Sequence, residues 1–325
     1  MGHDVSTSTP LESMRRLSGI AGIESSVATL EPLGGSGLTN RLWLVSLRDG
    51  RRFVLREYRW PYPEPDLDRA AKEAYLHHLL AKRGVPVAPI VAYNDSAALM
   101  EYVSGETLGA VAGRVPAEEL APAWFQAGEV LRRAHSITYP PGIASVIVGR
   151  GHVRSFADGS WGRWVQGDIL RHTRHLEEQG ALTVGQVARI HHIAAETVPI
   201  LDGISPTLLH NDLHPGNILI RQTAQKWELA AVLDWEYAWV GDPVWDLARF
   251  EVWRPEEIGP TPPAFYEGYG SHPNALRFRL YEMALCLWRA QAQGHTALAR
   301  VDAAATNYVR RLGIALSQIE DLLPR

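Results

Sequence analysis

Hydrophobic and polar positions alternate in the first third of the chain, which predicts a small antiparallel sheet. Strand character is clearest in four stretches: 41–47, 52–58, 87–93 and 97–103. Asp49-Gly50 separates the first two, and this dipeptide is typical of a tight hairpin turn. Apolar residues then recur at helical spacing between Asp66, the expected N-cap, and Gly84, the expected helix stop. We therefore predict a five-stranded antiparallel sheet with one helix over residues 30–102.

The remainder of the chain is predicted to be mainly helical. Apolar residues follow helical spacing in four stretches: 116–136, 162–177, 183–201 and 274–322. Strand-like signal returns briefly in three others: 208–210, 217–221 and 228–234. Since the composition shifts near residue 103, we predict three regions. They are an N-terminal tail with a short helix over 1–29, a first lobe over 30–102, and a second lobe over 103–325.

Composition narrows the possible classes of protein. The 325 residues are 46% hydrophobic and 21% charged, as expected for one or two globular cores. The net charge is −4 and no long basic run occurs, which argues against nucleic acid as a partner. The single cysteine, Cys286, excludes an internal disulfide and favours a reduced, cytoplasmic setting. No stretch approaches the roughly 18 apolar residues of a membrane span, so no membrane partner is expected.

The stretch 208–220, LLHNDLHPGNILI, places polar side chains between two apolar runs. Its Pro-Gly pair predicts a tight turn that directs Asp212 and Asn217 into one space. Further along, the apolar run AVLD ends on Asp234, a carboxylate that is costly to bury unless it is paired or binds a metal. Asn217 and Asp234 offer oxygen ligands suited to Mg²⁺, and Asp212 is left to accept a proton from an attacking hydroxyl. This combination fits phosphoryl transfer.

Three motifs follow one another in order along the chain. His210, Asp212 and Asn217 have the spacing His-x-Asp-x-x-x-x-Asn, Asp234 precedes an aromatic residue, and 241–248 read GDPVWDLA. The set resembles the aminoglycoside phosphotransferase and choline kinase-like family of small-molecule kinases, which share the protein-kinase-like fold. The resemblance implies an α+β, two-lobed fold, ATP or GTP as phosphoryl donor, Mg²⁺ as cofactor, and an alcohol group of a small molecule as acceptor.

The same resemblance assigns a nucleotide site to the first lobe. The stretch LGGSGLTN looks like the glycine-containing hairpin that covers the phosphates. Residues implicated there are Gly35, Ser36 and Asn40. The stretch LMEYVSG looks like the segment that joins the lobes. There, Met100 is expected deep in the adenine pocket, and backbone groups of Glu101 and Val103 are expected to bind adenine.

Arg56 stands where protein kinases carry a lysine that contacts phosphates. Strand alternation puts Val54 and Arg56 on one face, and the resemblance implies that this face is directed toward the nucleotide. Glu73, on the following helix, matches the glutamate that pairs with that cation. Arginine keeps the charge but differs in reach and geometry, so the phosphate contacts are expected to differ from those of the family.

Two histidines and two aspartates around the motifs have open or supporting roles. His210 is expected to pack against the loop and hydrogen-bond within it. His214 stands where protein kinases often have a lysine that reaches the transferred phosphate, and it either does the same or braces the loop. Asp242 and Asp246 are expected to brace the catalytic loop through hydrogen bonds.

The acceptor is expected to lie against the second lobe, between aromatic and acidic residues. Candidate wall residues are Asp158, Trp161, Trp164, Glu236, Tyr237, Trp239, Glu251, Glu256 and Glu257. Glu236 is also open to a role beside the metal or as partner of a basic residue. Aromatic rings beside acids suit an aminoglycoside, an amino sugar or a related natural product, which makes antibiotic resistance one possible role.

Two other classes of function fit parts of the sequence. His210, Asp212 and His214 can supply the two histidines and one carboxylate of a non-haem iron oxygenase. That alternative leaves Asn217 and Asp234 unexplained and expects a mostly β barrel. A catalytically silent nucleotide-binding protein is the other alternative, although such a protein is expected to have lost Asp212 or Asp234.

Overall fold

The computed structural model describes seven stretches of the chain: 9–33, 40–58, 68–201, 203–224, 226–254, 258–296 and 303–323. Its first lobe contains, in order, α1 (Pro10–Ala21), β1 (Val27–Pro32), β2 (Asn40–Leu47), β3 (Arg52–Tyr58), α2 (Arg69–Ala81), β4 (Ile90–Tyr93) and β5 (Ala97–Glu101). The second lobe begins with β6 (Glu106–Thr107), α3 (Leu108–Ala112), α4 (Ala117–His135), β7 (Ser145–Val148), β8 (His152–Ser155), α5 (Trp161–Glu178) and α6 (Val184–Leu201). It continues with β9 (Thr207–Leu209), β10 (Ile218–Gln222), β11 (Trp227–Val232), β12 (Trp239–Gly241), α7 (Val244–Trp253), α8 (Pro263–Tyr269), α9 (Ala275–Thr296) and α10 (Ala303–Leu322). None of these helices is both long enough and apolar enough to cross a membrane.

The strands of the first lobe form one antiparallel sheet in the order β1–β2–β3–β5–β4. The predicted α+β fold, with a five-stranded sheet before a mainly helical region, is therefore confirmed. The first strand begins at Val27, slightly before the predicted start at residue 30. Helix α1 packs on this sheet, because Met14 and Leu17 are buried in the same apolar cluster as Leu55.

Several element boundaries differ from the predictions. The N-cap of α2 is Asp68, whose carboxylate accepts the Ala71 amide at 2.9 Å, whereas the predicted Asp66 lies outside the described residues. The predicted helix 274–322 is described as α9 and α10, and the residues between them are likewise outside the described part. Strands β6, β7, β8 and β12 were not predicted, because runs of two to four residues are too short to show alternation.

A hairpin in the second lobe brings two motif segments together. Strands β10 and β11 pair antiparallel, with Asn217 immediately before the first and Asp234 shortly after the second. The Leu233 amide donates to the Asn217 carbonyl at 2.8 Å and closes the base of this hairpin. In the neighbouring sheet β9 pairs with β12 and leads directly into the loop 210–217.

Helices α4 and α8 approach each other closely through two glycines. A Cβ at Gly128 would lie 2.0 Å from a backbone oxygen of α8, and a Cβ at Gly268 would lie 1.9 Å from a backbone oxygen of α4. Only glycine permits this approach. It brings His135, at the end of α4, to Tyr269, at the end of α8, with 2.9 Å between Nδ1 and the hydroxyl oxygen. His135 is thereby fixed beneath the loop 210–217.

Candidate active site

The loop 210–217 is held by the buried carboxylate of Asp246, on α7. Its two oxygens accept the amide of His210 at 2.7 Å and the amide of Asn211 at 2.8 Å. His135 Nε2 donates to the same carboxylate at 3.1 Å. Burial acts to raise the pKa of Asp246, but the hydrogen bond and charge of His135 outweigh it, so the pKa lies below its usual value. The loop therefore rests on an ionised carboxylate.

Asp242 was expected to brace the same loop, and the described contacts place it elsewhere. Its carboxylate accepts the Tyr281 hydroxyl at 2.7 Å and an Arg277 N–H at 3.0 Å, both from α9. It also accepts the Val244 amide at 3.0 Å. Asp242 thus connects the start of α7 to α9. Its described contacts support the loop only indirectly, through α7, which carries Asp246.

His210 uses both ring nitrogens within the loop and its surroundings. Nε2 donates to the Leu233 carbonyl at 2.8 Å, and Nδ1 accepts the Asp212 amide at 3.2 Å. The ring packs on Trp235 with 4.4 Å between centroids. His210 thereby joins the segment of Asp212 to the segment of Asp234. Both ring nitrogens are engaged in these bonds, so neither has a lone pair available for a metal. The iron oxygenase alternative loses one of its three ligands here, and the mainly helical second lobe also contradicts it.

The carboxylate of Asp212 faces a cation that the sequence analysis did not identify. Arg249 Nη2 lies 3.3 Å from Asp212 Oδ1. The backbone of Asp212 is also held, since Asn217 Nδ2 donates to its carbonyl at 2.8 Å. Arg249 follows Asp246 by one turn of α7, so helical spacing from the loop-bracing aspartate was the available signal.

His214 braces the turn after Asp212. Its Nδ1 accepts the Gly216 amide at 3.0 Å and caps the short helical turn that contains Asn217. Burial lowers the pKa of His214 below its usual value, which favours the neutral ring. A neutral imidazole can donate from Nε2 but does not supply the positive charge of the lysine that it was compared with.

Asn217 and Asp234 form a pair of oxygen donors at the base of the β10–β11 hairpin. The Asn217 Nδ2 bond to Asp212 leaves Oδ1 as its available ligand atom. Asp234 adopts a left-handed conformation, with φ of 66°, and one carboxylate oxygen accepts a bond from Arg56. Within the described residues no group of three His, Cys, Asp or Glu side chains forms a metal cage. Mg²⁺ commonly takes one or two protein oxygens together with water and phosphate, so the donor set fits this ion.

Arg56 lies at the centre of a buried charge cluster between the lobes. Nη1 contacts Glu73 on α2 at 2.8 Å, whereas Nη2 contacts Asp234 at 2.7 Å and Glu236 at 3.1 Å. The structure therefore brings Arg56 and Glu73 together. Arg56 also contacts two carboxylates of the second lobe, those of Asp234 and Glu236. Burial acts to raise the pKa of Asp234, but the nearby charge of Arg56 dominates and lowers it.

Glu236 belongs to this cluster rather than to an acceptor wall. Besides Arg56, its Oε1 accepts a bond from Asn40 Nδ2 at 2.9 Å. Burial raises the pKa of Glu236 to about 7, although Arg56 opposes the shift. Lys72, beside Glu73, is also buried, and burial lowers the pKa of its ammonium group to about 7.

The other residues predicted to bind nucleotide that the structure describes lie on β3, on β5 or just after β5. Val54 and Met100 face each other across β3 and β5. The Glu101 amide is used by the sheet, since it donates to the Pro89 carbonyl at 2.8 Å. Within the described part of the chain, the Val103 amide donates no hydrogen bond. Gly35 and Ser36 lie outside the described residues.

A cavity of about 230 Å³ lies next to the loop 210–217, among α5, α7 and α9. Its apolar walls are Trp164, Trp239, Trp245, Leu285 and Trp288. Its charged walls are Asp168, Arg171 and Arg249. Two wall residues also contact the loop, because Trp245 Nε1 donates to Asn211 Oδ1 at 2.8 Å and Arg249 contacts Asp212. The cavity therefore lies next to the loop, and Arg249 contacts Asp212 from its wall.

Only part of the predicted acceptor wall lines this cavity. Trp164 and Trp239 do, and Trp161 lies behind Trp164 with its ring stacked at 5.1 Å. Asp158 is exposed in the turn before α5. Two further candidates do not line it, since Glu236 belongs to the Arg56 cluster and the Tyr237 carbonyl accepts a bond from Asn211. Glu256 and Glu257 lie outside the described residues.

Glu251, the remaining acidic candidate, is engaged by its own surroundings. Its carboxylate contacts Arg254 at 2.8 Å and accepts bonds from the amide and hydroxyl of Thr261. Burial acts to raise the pKa of Glu251, but the bonds from Arg254 and Thr261 lower it. It is thus not a free carboxylate.

Sequence reasoning missed most of the cavity wall. The missed residues are Asp168, Arg171, Trp245, Arg249, Leu285 and Trp288. Asp168 and Arg171 follow Trp164 at helical spacing on α5, so one face of that helix carried a usable signal. Trp288 comes from α9, and nothing local in the sequence connects it to the loop.

Comparisons with known proteins show the family and the fold of this chain. The model of the phosphotransferase enzyme family matches residues 29–281. No curated protein matches the chain significantly. Among solved structures, a thermostable mutant of aminoglycoside phosphotransferase APH(4)-Ia, in ternary complex with ADP and hygromycin B, is 19% identical with a TM-score of 0.65, covering 94% of this chain and 97% of its own.

Two other solved structures share the fold. Macrolide 2'-phosphotransferase MphH from Brachybacterium faecium is 21% identical with a TM-score of 0.56, covering 97% of this chain and 99% of its own. A choline/ethanolamine kinase family protein from Mesorhizobium loti is 19% identical with a TM-score of 0.59, covering 95% of this chain and 94% of its own. The family match over residues 29–281 and the two-lobed fold lead to one conclusion: the chain belongs to the phosphotransferase enzyme family and is an enzyme that transfers a phosphoryl group to an alcohol group of a small molecule.

Proposed function

We propose that this enzyme transfers the γ-phosphoryl group of ATP, or of GTP, to a hydroxyl of a small molecule held in the tryptophan-lined cavity. The observation that supports it most is the position of Asp212. On one side His210 joins its segment to the strand end of Asp234, and on the other side Arg249 joins it to the cavity. Asp212 thus connects a phosphate side and an acceptor side of one site.

The chain's own residues divide the work between positioning and electrostatics. Asp212 orients the acceptor hydroxyl and takes its proton as the oxygen attacks phosphorus. Arg249 contacts the Asp212 carboxylate and holds it in position. His214 keeps the turn closed and offers Nε2–H toward the transferred group. No covalent enzyme intermediate is needed.

Nucleotide and metal would occupy the cleft between the lobes. Asn217 and Asp234 would hold Mg²⁺, which when bound neutralises phosphate charge. Arg56, oriented by Glu73, would contact the phosphates. Gly35 and Ser36 are proposed to contact them as well. Suitable partners for adenine, beside Val54 and Met100, are the Glu101 carbonyl and the Val103 amide, which donates no hydrogen bond within the described residues. Asn40 acts by holding Glu236 in place.

The acceptor is proposed from the class expected from the sequence: an aminoglycoside, an amino sugar or a related natural product. The aromatic cavity beside Asp212 supports a ring-bearing molecule. We propose that the enzyme acts in the cytoplasm. Antibiotic resistance is one role that a kinase with such an acceptor can have.

The proposal is tested by ADP release from Mg–ATP and Mg–GTP with a panel of hydroxylated acceptors. The panel contains aminoglycosides, macrolides, hexoses, amino sugars, choline and homoserine. We expect release that depends on one acceptor class and stops when EDTA removes Mg²⁺. Nucleotide binding in a thermal-shift assay without release for any acceptor would favour the silent binding protein, and absence of nucleotide binding would contradict the proposal altogether.

Arg56→Lys is expected to raise the KM for nucleotide by about tenfold or more, since losing one hydrogen bond to a charged group costs about 1.5–3 kcal/mol. Lysine keeps the charge, but its single ammonium does not bridge Glu73, Asp234 and Glu236 as the guanidinium does. Steady-state kinetics at varied Mg–ATP measure the effect. Arg41→Lys, an exposed change on the neighbouring strand, is the matched control. An unchanged KM would remove Arg56 from the nucleotide site.

A further inference from the structure

We propose that the tryptophan-lined cavity takes a single uncharged hydroxylated ring, such as an unsubstituted hexose or its glycoside, and discriminates against amine-bearing and acidic acceptors. This rests on the proposed function. Within its acceptor class it replaces the aminoglycosides and amino sugars with ring-bearing molecules that carry no ionised group. The walls, the pairing of their charges and the volume each point to such a ligand.

The indole rings form a rigid corner. The Trp164 and Trp239 centroids are 5.0 Å apart with planes at 87°, and the Trp164 and Trp245 centroids are 5.5 Å apart with planes at 74°. Trp164 is fixed from behind by its stacked contact with Trp161. Such surfaces offer large apolar faces at small entropic cost, which suits a ring that presents C–H groups to them and hydroxyls elsewhere.

The charged groups of the cavity are already paired with each other. Arg171 donates to the Asp168 carboxylate, and His172 Nε2 lies 3.2 Å from the same carboxylate. Arg249 is paired with Asp212. Neither an ammonium nor a carboxylate on the acceptor would find a free counter-charge among the described wall residues. Moving a charged group into such a cavity is therefore penalised, whereas hydroxyls can still hydrogen-bond to the paired groups.

A quaternary ammonium ion is the strongest competing ligand, since indole faces attract such cations. Here the Arg249 guanidinium already lies over Trp253 at 4.2 Å and near the Trp288 ring at 5.7 Å. An acceptor cation beside Trp288 would be placed next to this positive charge. The single acid in the described wall, Asp168, has only 8% of its side chain exposed and is paired.

The volume fits one ring. Pockets for drug-sized ligands measure about 300–1,000 Å³. At about 230 Å³ the cavity lies below that range and is too small to enclose an aminoglycoside of several rings. A polycation would also need several free carboxylates, which the described walls do not offer.

The test uses matched triads that share one ring: glucose, glucosamine and glucuronate, and the corresponding galactose compounds. Acceptor-dependent ADP release gives kcat/KM, and tryptophan fluorescence in the presence of Mg and a non-hydrolysable ATP analogue gives binding without turnover. We expect the neutral member to exceed both charged members by about tenfold in either readout, which corresponds to about 1.4 kcal/mol.

Arg171→Gln isolates the electrostatic part of the inference. This change leaves Asp168 without its arginine partner, so glucosamine is expected to gain several-fold in affinity while glucose changes little. Arg174→Gln makes the same charge change on an exposed position of the same helix, outside the cavity, and is expected to leave the ranking unaltered.

Preference for the amine or the acid in the wild type overturns the inference, and so does absence of binding by every neutral ring. An identical response of Arg171→Gln and Arg174→Gln also overturns it. Failure of the proposed function looks different, because nucleotide binding or ADP release is then lost for all acceptors alike. In that case, acceptor binding measured by tryptophan fluorescence still gives the order of affinities for the neutral, amine-bearing and acidic sugars.

Discussion

Asp212→Asn is expected to lower kcat by about 10²–10⁴-fold, the usual contribution of a positioned general base. The amide keeps the shape of the side chain and an oxygen for the bond from Arg249, so the loop is expected to stay in place. The asparagine amide, however, cannot take the proton of the acceptor hydroxyl. Nucleotide binding does not use this carboxylate and should remain close to that of the wild type.

The measurement is the rate of ADP release with saturating acceptor, beside thermal shift with Mg–ATP. Asp95→Asn removes one carboxylate from an exposed turn of the first lobe and controls for charge alone. A variant that keeps more than a tenth of wild-type turnover would show that Asp212 has no role in proton transfer. Loss of nucleotide binding in the same variant would assign Asp212 to binding instead.

Asp246→Ala is expected to destabilise the fold by about 3–5 kcal/mol, the usual cost of breaking a buried charged contact. Alanine leaves the amides of His210 and Asn211 and the ring of His135 without their buried acceptor. Activity should fall as well, although Asp212 is intact, because the loop loses its support. Urea unfolding measures the stability, and hydrogen exchange at the two amides reports the loop directly.

The stability difference should depend on pH. Because the pKa of Asp246 is lowered from its usual 3.8, its contribution is complete above that pH and fades as pH falls through the folded-state value. The gap between wild type and variant should therefore narrow in acid. Asp95→Ala is the control, and Asp246→Asn, which retains one acceptor oxygen, should be intermediate. A loss of less than 1 kcal/mol in the free energy of unfolding of Asp246→Ala would contradict the role of Asp246 in holding the loop.

Local chemistry explains why part of the site could be predicted. Asp212 and Asn217 are separated by one Pro-Gly turn, and Asp234 follows the partner strand of the same hairpin. Turn residues and strand ends are encoded by adjacent positions, so these side chains come together with little help from the rest of the fold. The resemblance implied the Arg56–Glu73 pair, and the two residues lie on β3 and α2, which follow each other in the chain.

The acceptor cavity shows the opposite case. Its wall is assembled from α5, α7 and α9, which contribute Trp164, Arg249 and Trp288. Helical spacing predicts which face of each helix is apolar, but not which neighbour that face meets. Glu236 and Glu251 illustrate the same limit, since an acid in a sequence has no visible partner until packing brings Arg56 to one and Arg254 to the other.

The sequence by itself determined the fold class and the loop of Asp212, because these depend on local periodicity and on contacts between near neighbours in the chain. Only the tertiary structure decided that Asp246 clamps the loop, that Arg249 faces Asp212 and that the cavity charges are paired. Those contacts join residues from separate helices. Their energies depend on burial and distance, which exist only once the helices have packed.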